Sequence, residues 1–81
     1  MIHDLKTWPD QFEAIVRGTK HHEVRRVDRP FRVGDQLRLR EFKPSSRHYT
    51  GRETQRVVTY ISQPGTFGLP DNLCVLSIEA G

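Results

Sequence analysis

Apolar and polar positions follow two different periods along this chain. The first period is helical, because a group of apolar residues recurs at a spacing that puts them on one helix face. These residues are Trp8, Phe12, Ile15 and Val16. Pro9 fits the first turn of a helix, Thr7 is placed to cap it, and Gly18 is a typical helix stop. The pattern therefore predicts one short amphipathic helix near the N-terminus.

After this helix the period changes to that of strands. The predicted extended segments are residues 20–27, 33–42, 56–61 and 73–78. The first of them is highly polar, whereas the last is apolar on both faces and is therefore expected to be a central strand. Tyr49 to Gly51 is predicted to be a turn that leads into the third segment.

One early helix followed by short strands predicts a mainly β fold with one N-terminal helix, of the α+β class. A small curved sheet or partly open barrel, with the helix covering one end, fits this order of elements. The alternative is an open α+β sheet with the helix on one face. The 81 residues contain no interdomain linker, so we expect a single domain over residues 1–81.

Composition excludes several classes of protein. With 35% hydrophobic and 28% charged residues, the chain is too apolar for a disordered segment, and it has no apolar run that could span a bilayer. The N-terminus lacks the pattern of a secretory signal, and the single Cys74 excludes an internal disulfide. These features predict a cytoplasmic protein with no membrane contact. His21 and His22 point to opposite faces of a strand, so no metal and no cofactor is predicted.

The positive charge of the chain is carried mostly by arginine. Thirteen residues are basic, the formal net charge is +3, and every arginine falls within residues 17–56. The guanidinium group binds phosphate through two hydrogen bonds and stacks on bases. The excess of arginine over lysine favours a local binding site for an anion. The alternative is that the arginines serve solubility alone, as in many small domains.

The densest group of charges follows the helix stop. Lys20, Glu23 and Arg25 lie in a segment where Val24 and Val27 are the only large apolar residues. One interpretation is a solvated edge strand whose charges prevent edge-to-edge pairing. The other is the wall of a charged cleft, in which cations bind an anion and Glu23 orients an arginine or accepts a hydrogen bond from a base edge.

The spacing G-x-K-x-x-E-x-R, formed by Gly18, Lys20, Glu23 and Arg25 directly after the helix, resembles the signature of ASCH domains. ASCH domains are small β-barrel relatives of the PUA superfamily. The wider pattern, from His3-Asp4-Leu5-Lys6 to Val75-Leu76-Ser77-Ile78, resembles a compact ASCH-like family of unknown function found in bacteria and phages. This resemblance covers nearly the whole chain.

The resemblance implies a PUA-like barrel that binds RNA or modified nucleosides in a cleft beside the helix. Some ASCH proteins are amidohydrolases that remove an acyl group from modified cytidine, with a threonine nucleophile three residues after the signature lysine. Here Lys20 matches the lysine, but Glu23 occupies the place of the threonine, which argues against the same covalent mechanism. A carboxylate general base acting on water is an alternative, and Glu41 is the candidate second carboxylate.

The first hypothesis is therefore a module that binds RNA or a modified nucleoside in a basic cleft beside the helix. The second is a nucleoside amidohydrolase with Lys20 and Glu23 as catalytic residues, and the third is a small protein-interaction module. Trp8 shares a helix face with Phe12 and Ile15, which favours core packing over base stacking. The predicted ligand-binding residues are Lys6, Lys20, Glu23, Arg25, Arg26, Arg29, Tyr49 and Arg52.

Overall fold

The computed structural model describes residues 1–81 and contains five strands and one helix. In chain order they are β1 (Ile2–Thr7), α1 (Pro9–Val16), β2 (His22–Arg26), β3 (Gln36–Lys43), β4 (His48–Ser62) and β5 (Leu73–Glu79). The protein is mainly β, as predicted, and its single sheet curls into a half-barrel. No helix has the length and apolar character needed to cross a membrane.

The strands lie in the order β1-β3-β4-β5-β2. The β1–β3 pair is parallel, and the other three pairs are antiparallel. Strand β5 is internal, which confirms the prediction from its apolar faces. Strands β1 and β2 are the two edges of the sheet, so β2 has the edge position that the edge-strand interpretation of residues 20–27 expects, although its Glu23 is buried and not solvated.

The core occupies the inner face of the half-barrel. Alternate residues of the strands point inward, and Leu37, Leu39 and Leu76 are completely buried. The core cluster comprises Leu5, Ile15, Leu37, Leu39, Val58, Cys74, Leu76 and Ile78. Burial in this core raises the pKa of the Cys74 thiol.

The start of the helix differs from the prediction. Trp8, not Thr7, is the N-cap residue, and no side chain caps the helix. Thr7 is the last residue of β1 and is buried with the inner face. Only Phe12 and Ile15 of the predicted apolar face are buried, whereas Trp8 is 47% exposed and Val16 is 42% exposed. Core packing of Trp8 was therefore the wrong expectation.

The predicted turn at Tyr49 to Gly51 is also wrong, because these residues belong to β4. The register between β3 and β4 shifts at this point, so that β4 contains extra residues opposite Glu41. Gly51 has a φ of +93°, which a glycine adopts without strain. The sequence feature that predicts a turn therefore produces a bulge inside one long strand.

A buried hydrogen bond joins the start of β1 to the residue before β3. His3 Nε2 lies 2.8 Å from Asp35 Oδ2, and the same oxygen accepts a hydrogen bond from the backbone N–H of Arg32 at 2.9 Å. These bonds, that from His3 above all, lower the pKa of the Asp35 carboxyl from its ordinary value.

This shift predicts a specific pH dependence of stability. The contribution of Asp35 is fully present above its unfolded-state pKa and is lost as the pH falls through its lower folded-state pKa. We expect Asp35→Asn to be less stable than the wild type at pH 6 and to lose less stability between about pH 5 and pH 2. Urea unfolding at several pH values measures this, with the exposed Glu79→Gln as the control. An acid dependence of Asp35→Asn equal to that of the wild type would contradict the assignment.

Candidate functional site

A cleft opens where the half-barrel fails to close. Strands β1 and β2 are the two sheet edges, and their backbones are not paired with each other. The space between them and the start of α1 has a volume of about 630 Å³. We call this space the edge cleft; it is lined by Lys6, Thr7, Trp8, Gln11, Lys20, His22, Glu23, Val24 and Arg25.

Glu23 is the central charged group of the edge cleft. It is paired with Leu76 of β5 in the sheet, and its side chain is buried, with only 4% of the residue exposed. Its Oε2 accepts a hydrogen bond from Arg25 Nε at 3.0 Å, and its Oε1 lies 3.8 Å from Lys20 Nζ. Lys20 also donates to the Gln11 side chain on the helix. Both carboxylate oxygens of a buried acid are therefore engaged by cations.

Arg25 also connects the two edges of the sheet. Its Nη2 donates to the backbone carbonyl of Lys6 on β1, while its Nε is bonded to Glu23 on β2. One guanidinium thus bridges the gap between edge strands that share no backbone ladder. The three predicted residues Lys20, Glu23 and Arg25 come together in one cleft, as the cleft-wall hypothesis requires.

Five of the nine residues that line the edge cleft were not among the predicted ligand-binding residues: Thr7, Trp8, Gln11, His22 and Val24. Trp8 presents a half-exposed ring at the start of the helix, 5.8 Å from the ring of Phe42. The hydroxyl of Thr7 is buried and has no hydrogen-bond partner. Buried hydroxyls normally have a hydrogen-bond partner, so Thr7 is an exception among the residues that line the cleft. The alternation of β1, with His3 and Leu5 buried, was the available signal that Thr7 points inward.

A second, smaller hollow adjoins the edge cleft. Its volume is about 290 Å³, and Lys6 and Arg25 line both spaces. We call it the arginine groove; it is lined by Asp4, Leu5, Lys6, Arg25, Arg29, Arg40 and Tyr49. Tyr49, a predicted ligand-binding residue, is 41% exposed and lies beneath Arg40, whose guanidinium carbon is 4.1 Å from the centre of its ring. Arg40 was not predicted.

The remaining predicted residues lie elsewhere. Arg26 is exposed and borders a neighbouring hollow of about 300 Å³ without reaching the edge cleft. Arg52 binds two carboxylates, with distances of 3.3 Å to Glu13 and 3.7 Å to Glu41. Glu41 is buried, accepts a hydrogen bond from Thr50 at 2.7 Å, and does not line the edge cleft. The structure therefore separates the candidate second carboxylate from Lys20 and Glu23.

The fold and the site together define a small half-barrel domain with a charged cleft between its edge strands. A family model described as a domain of unknown function (DUF3850) matches residues 2–78, and the chain belongs to this family. No curated protein matches the chain. The side chains contain no group of three or more His, Cys, Asp or Glu residues that could hold a metal ion.

Proposed function

We propose that this protein binds single-stranded RNA or a modified nucleoside, with one unpaired base in the edge cleft. The observation that carries the proposal is the convergence of Lys20, Glu23 and Arg25 beside the exposed ring of Trp8. Proteins that bind unpaired bases stack them on aromatic side chains and hydrogen-bond their edges. The edge cleft offers a ring for stacking, an acceptor in Glu23 and an unpartnered hydroxyl in Thr7.

The charges of the site support an anionic ligand. Glu23 neutralises one of its two cationic neighbours, and Lys6 adds a further positive charge at the border of the cleft. A nucleotide uses both kinds of group, since phosphates bind cations and base edges bind acceptors.

We further propose that the half-barrel is a PUA-like domain of the ASCH type. Two features support this relation. The G-x-K-x-x-E-x-R signature follows the helix directly, and its Lys20, Glu23 and Arg25 line a cleft at the start of that helix, where the resemblance implies the ligand. We expect the protein to act on RNA of the cytoplasm, where a free Cys74 remains reduced.

Binding of a labelled single-stranded RNA tests the proposed function. We expect the wild type to bind at low salt and to weaken as salt rises, because the contacted phosphates release counterions. Lys20→Gln should weaken binding roughly tenfold, the effect of losing one charge-assisted hydrogen bond. Lys43→Gln removes the same charge from an exposed strand end outside the edge cleft and is the matched control.

Fluorescence anisotropy of the labelled RNA measures both variants at several salt concentrations. Absence of any RNA binding at low salt would remove the proposal. Equal weakening by Lys20→Gln and Lys43→Gln would show that only general charge attracts the RNA. A specific protein partner recovered after nuclease treatment would instead favour the protein-interaction hypothesis.

A second candidate is hydrolysis of an acyl amide on modified cytidine, and the buried Glu23 carboxylate beside Lys20 in the edge cleft is the observation that favours it. In such a step Glu23 takes a proton from water, the water oxygen attacks the acyl carbon, the carbon–nitrogen bond breaks, and the amine leaves with a proton. Lys20 and Arg25 already contact both Glu23 oxygens, so an attacking water has to compete with these cations for the carboxylate. Binding is therefore the leading proposal.

Incubation of acylated cytidine with concentrated protein separates the two candidates. The binding proposal predicts intact substrate after prolonged exposure. Release of free cytidine and the acid, lost in Glu23→Gln, would establish the hydrolase instead. Chromatography of the nucleosides measures the outcome.

A further inference from the structure

We propose that the arginine groove is a phosphate-binding site, so that the ligand is a nucleotide with a charged backbone and not a free nucleoside. This inference rests on the proposed function, because it concerns the same ligand as the edge cleft. It also makes a separate claim, since the edge cleft alone is able to hold a base without a phosphate.

Cations outnumber carboxylates among the side chains that line the groove itself. Four cations line it, from Lys6, Arg25, Arg29 and Arg40, against one carboxylate, from Asp4. That carboxylate is already bound to Arg38 by two hydrogen bonds, at 2.6 and 2.7 Å, and this contact lowers its pKa. The carboxylate of Asp4 is thus neutralised by an arginine that does not line the groove.

The three arginines are held in a common manner. Each binds its carboxylate partner through Nε: Arg25 to Glu23 at 3.0 Å, Arg29 to Asp28 at 3.3 Å and Arg40 to Glu53 at 3.3 Å. Binding through Nε fixes a guanidinium while leaving terminal nitrogens free to donate to another acceptor. In Arg29 and Arg40 these terminal nitrogens have no other hydrogen-bond partner in the protein.

Aromatic rings also contact two of these three guanidinium groups, those of Arg29 and Arg40. The guanidinium carbon of Arg40 is 4.1 Å from the ring centre of Tyr49, and that of Arg29 is 5.8 Å from the ring centre of Phe31. Such contacts restrict the arginine side chains before binding, so less conformational entropy is lost when a phosphate binds. Arginines held in this way are prepared to donate two parallel hydrogen bonds to the oxygens of a phosphate.

The groove is placed to receive a phosphate attached to a base in the edge cleft. Lys6 and Arg25 line both spaces, so the edge cleft and the arginine groove lie side by side with these two residues between them. A strand whose base lies beside Trp8 is thereby able to place a neighbouring phosphate among the groove cations. The hydroxyl and carboxylate of the edge cleft read the base, while the groove binds the backbone.

Two forms of one short RNA test this inference. The first is an end-labelled single-stranded hexanucleotide, and the second has the same sequence with uncharged methylphosphonate linkages. We expect the wild type to bind the charged form at least tenfold more tightly. Arg40→Gln should weaken binding of the charged form roughly tenfold, reduce the slope of log K against log salt by about 0.7, and leave the uncharged form unaffected.

The controls separate failure of the groove from failure of the edge cleft. Arg32→Gln removes one exposed arginine outside both spaces and should change neither affinity by more than about twofold. Arg29→Gln repeats the test from a second groove residue, and thermal unfolding verifies that each variant folds. Equal binding of both RNAs by the wild type, or equal loss in Arg40→Gln and Arg32→Gln, would overturn the groove proposal alone. Failure to bind either RNA would overturn the proposed function as well.

Discussion

Replacing Trp8 with alanine is expected to weaken binding of single-stranded RNA by roughly 5- to 150-fold. This range corresponds to the loss of one base–aromatic stacking contact, which is worth about 1–3 kcal/mol. The ring is half exposed at the border of the edge cleft, and it donates no capping hydrogen bond that the helix would lose. The loss of affinity should therefore exceed any loss of stability, which comes only from the contact of the ring with Phe42.

Two further variants sharpen this prediction. Trp8→Phe retains an aromatic face and should recover most of the affinity. Tyr60→Ala removes an aromatic residue that is 64% exposed on β4, outside the edge cleft, and should leave affinity unchanged. Anisotropy titrations at one fixed salt concentration compare the three. Equal affinities of Trp8→Ala and Tyr60→Ala would contradict a stacking role for Trp8.

Replacing Glu23 with alanine is expected to lower the free energy of unfolding by about 2 kcal/mol. The substitution leaves Lys20 and Arg25 without their shared carboxylate in a cleft where all three side chains are largely shielded. A domain of this size has a total stability of about 4–12 kcal/mol, so the loss is a substantial part of it. Glu53→Ala breaks a more exposed pair with Arg40 and should cost less than about 1 kcal/mol.

A double-mutant cycle isolates the contact between Glu23 and Arg25. Because the arginine is bonded to this carboxylate, Arg25→Ala should cost less stability in the Glu23→Ala background than in the wild type. Urea unfolding of the four proteins gives the coupling free energy. Independent, additive effects would mean that the hydrogen bond contributes nothing to stability.

Features that depend on short stretches of sequence were predicted correctly. The helix and the central strand β5 follow from local periodicity. Glu23 and Arg25 lie two residues apart on one strand, so their side chains share a face and were expected to come together. The structure shows where this face lies: β2 is an edge strand, and the two side chains border the gap between β2 and β1.

Other features needed information that the local pattern does not contain. Trp8 was assigned to the helix face, but as N-cap residue it has an extended backbone, with φ −62° and ψ 151°, and so departs from the helical period. Tyr49 was placed in a turn because Gly51 permits a positive φ in a turn and in a bulge alike. Arg40 joins the arginine groove only through the parallel pairing of β3 with β1, a contact between residues distant in the chain.

The most direct test of the account is an NMR titration of the ¹⁵N-labelled protein with a short single-stranded RNA at low salt. Every backbone amide reports separately in a chain of 81 residues. We expect the largest changes in amide chemical shift at residues of the edge cleft and the arginine groove, including Trp8, Lys20 and Arg25. Saturating RNA that leaves these amides unchanged, or that shifts only the distant loop around Phe67, would contradict it.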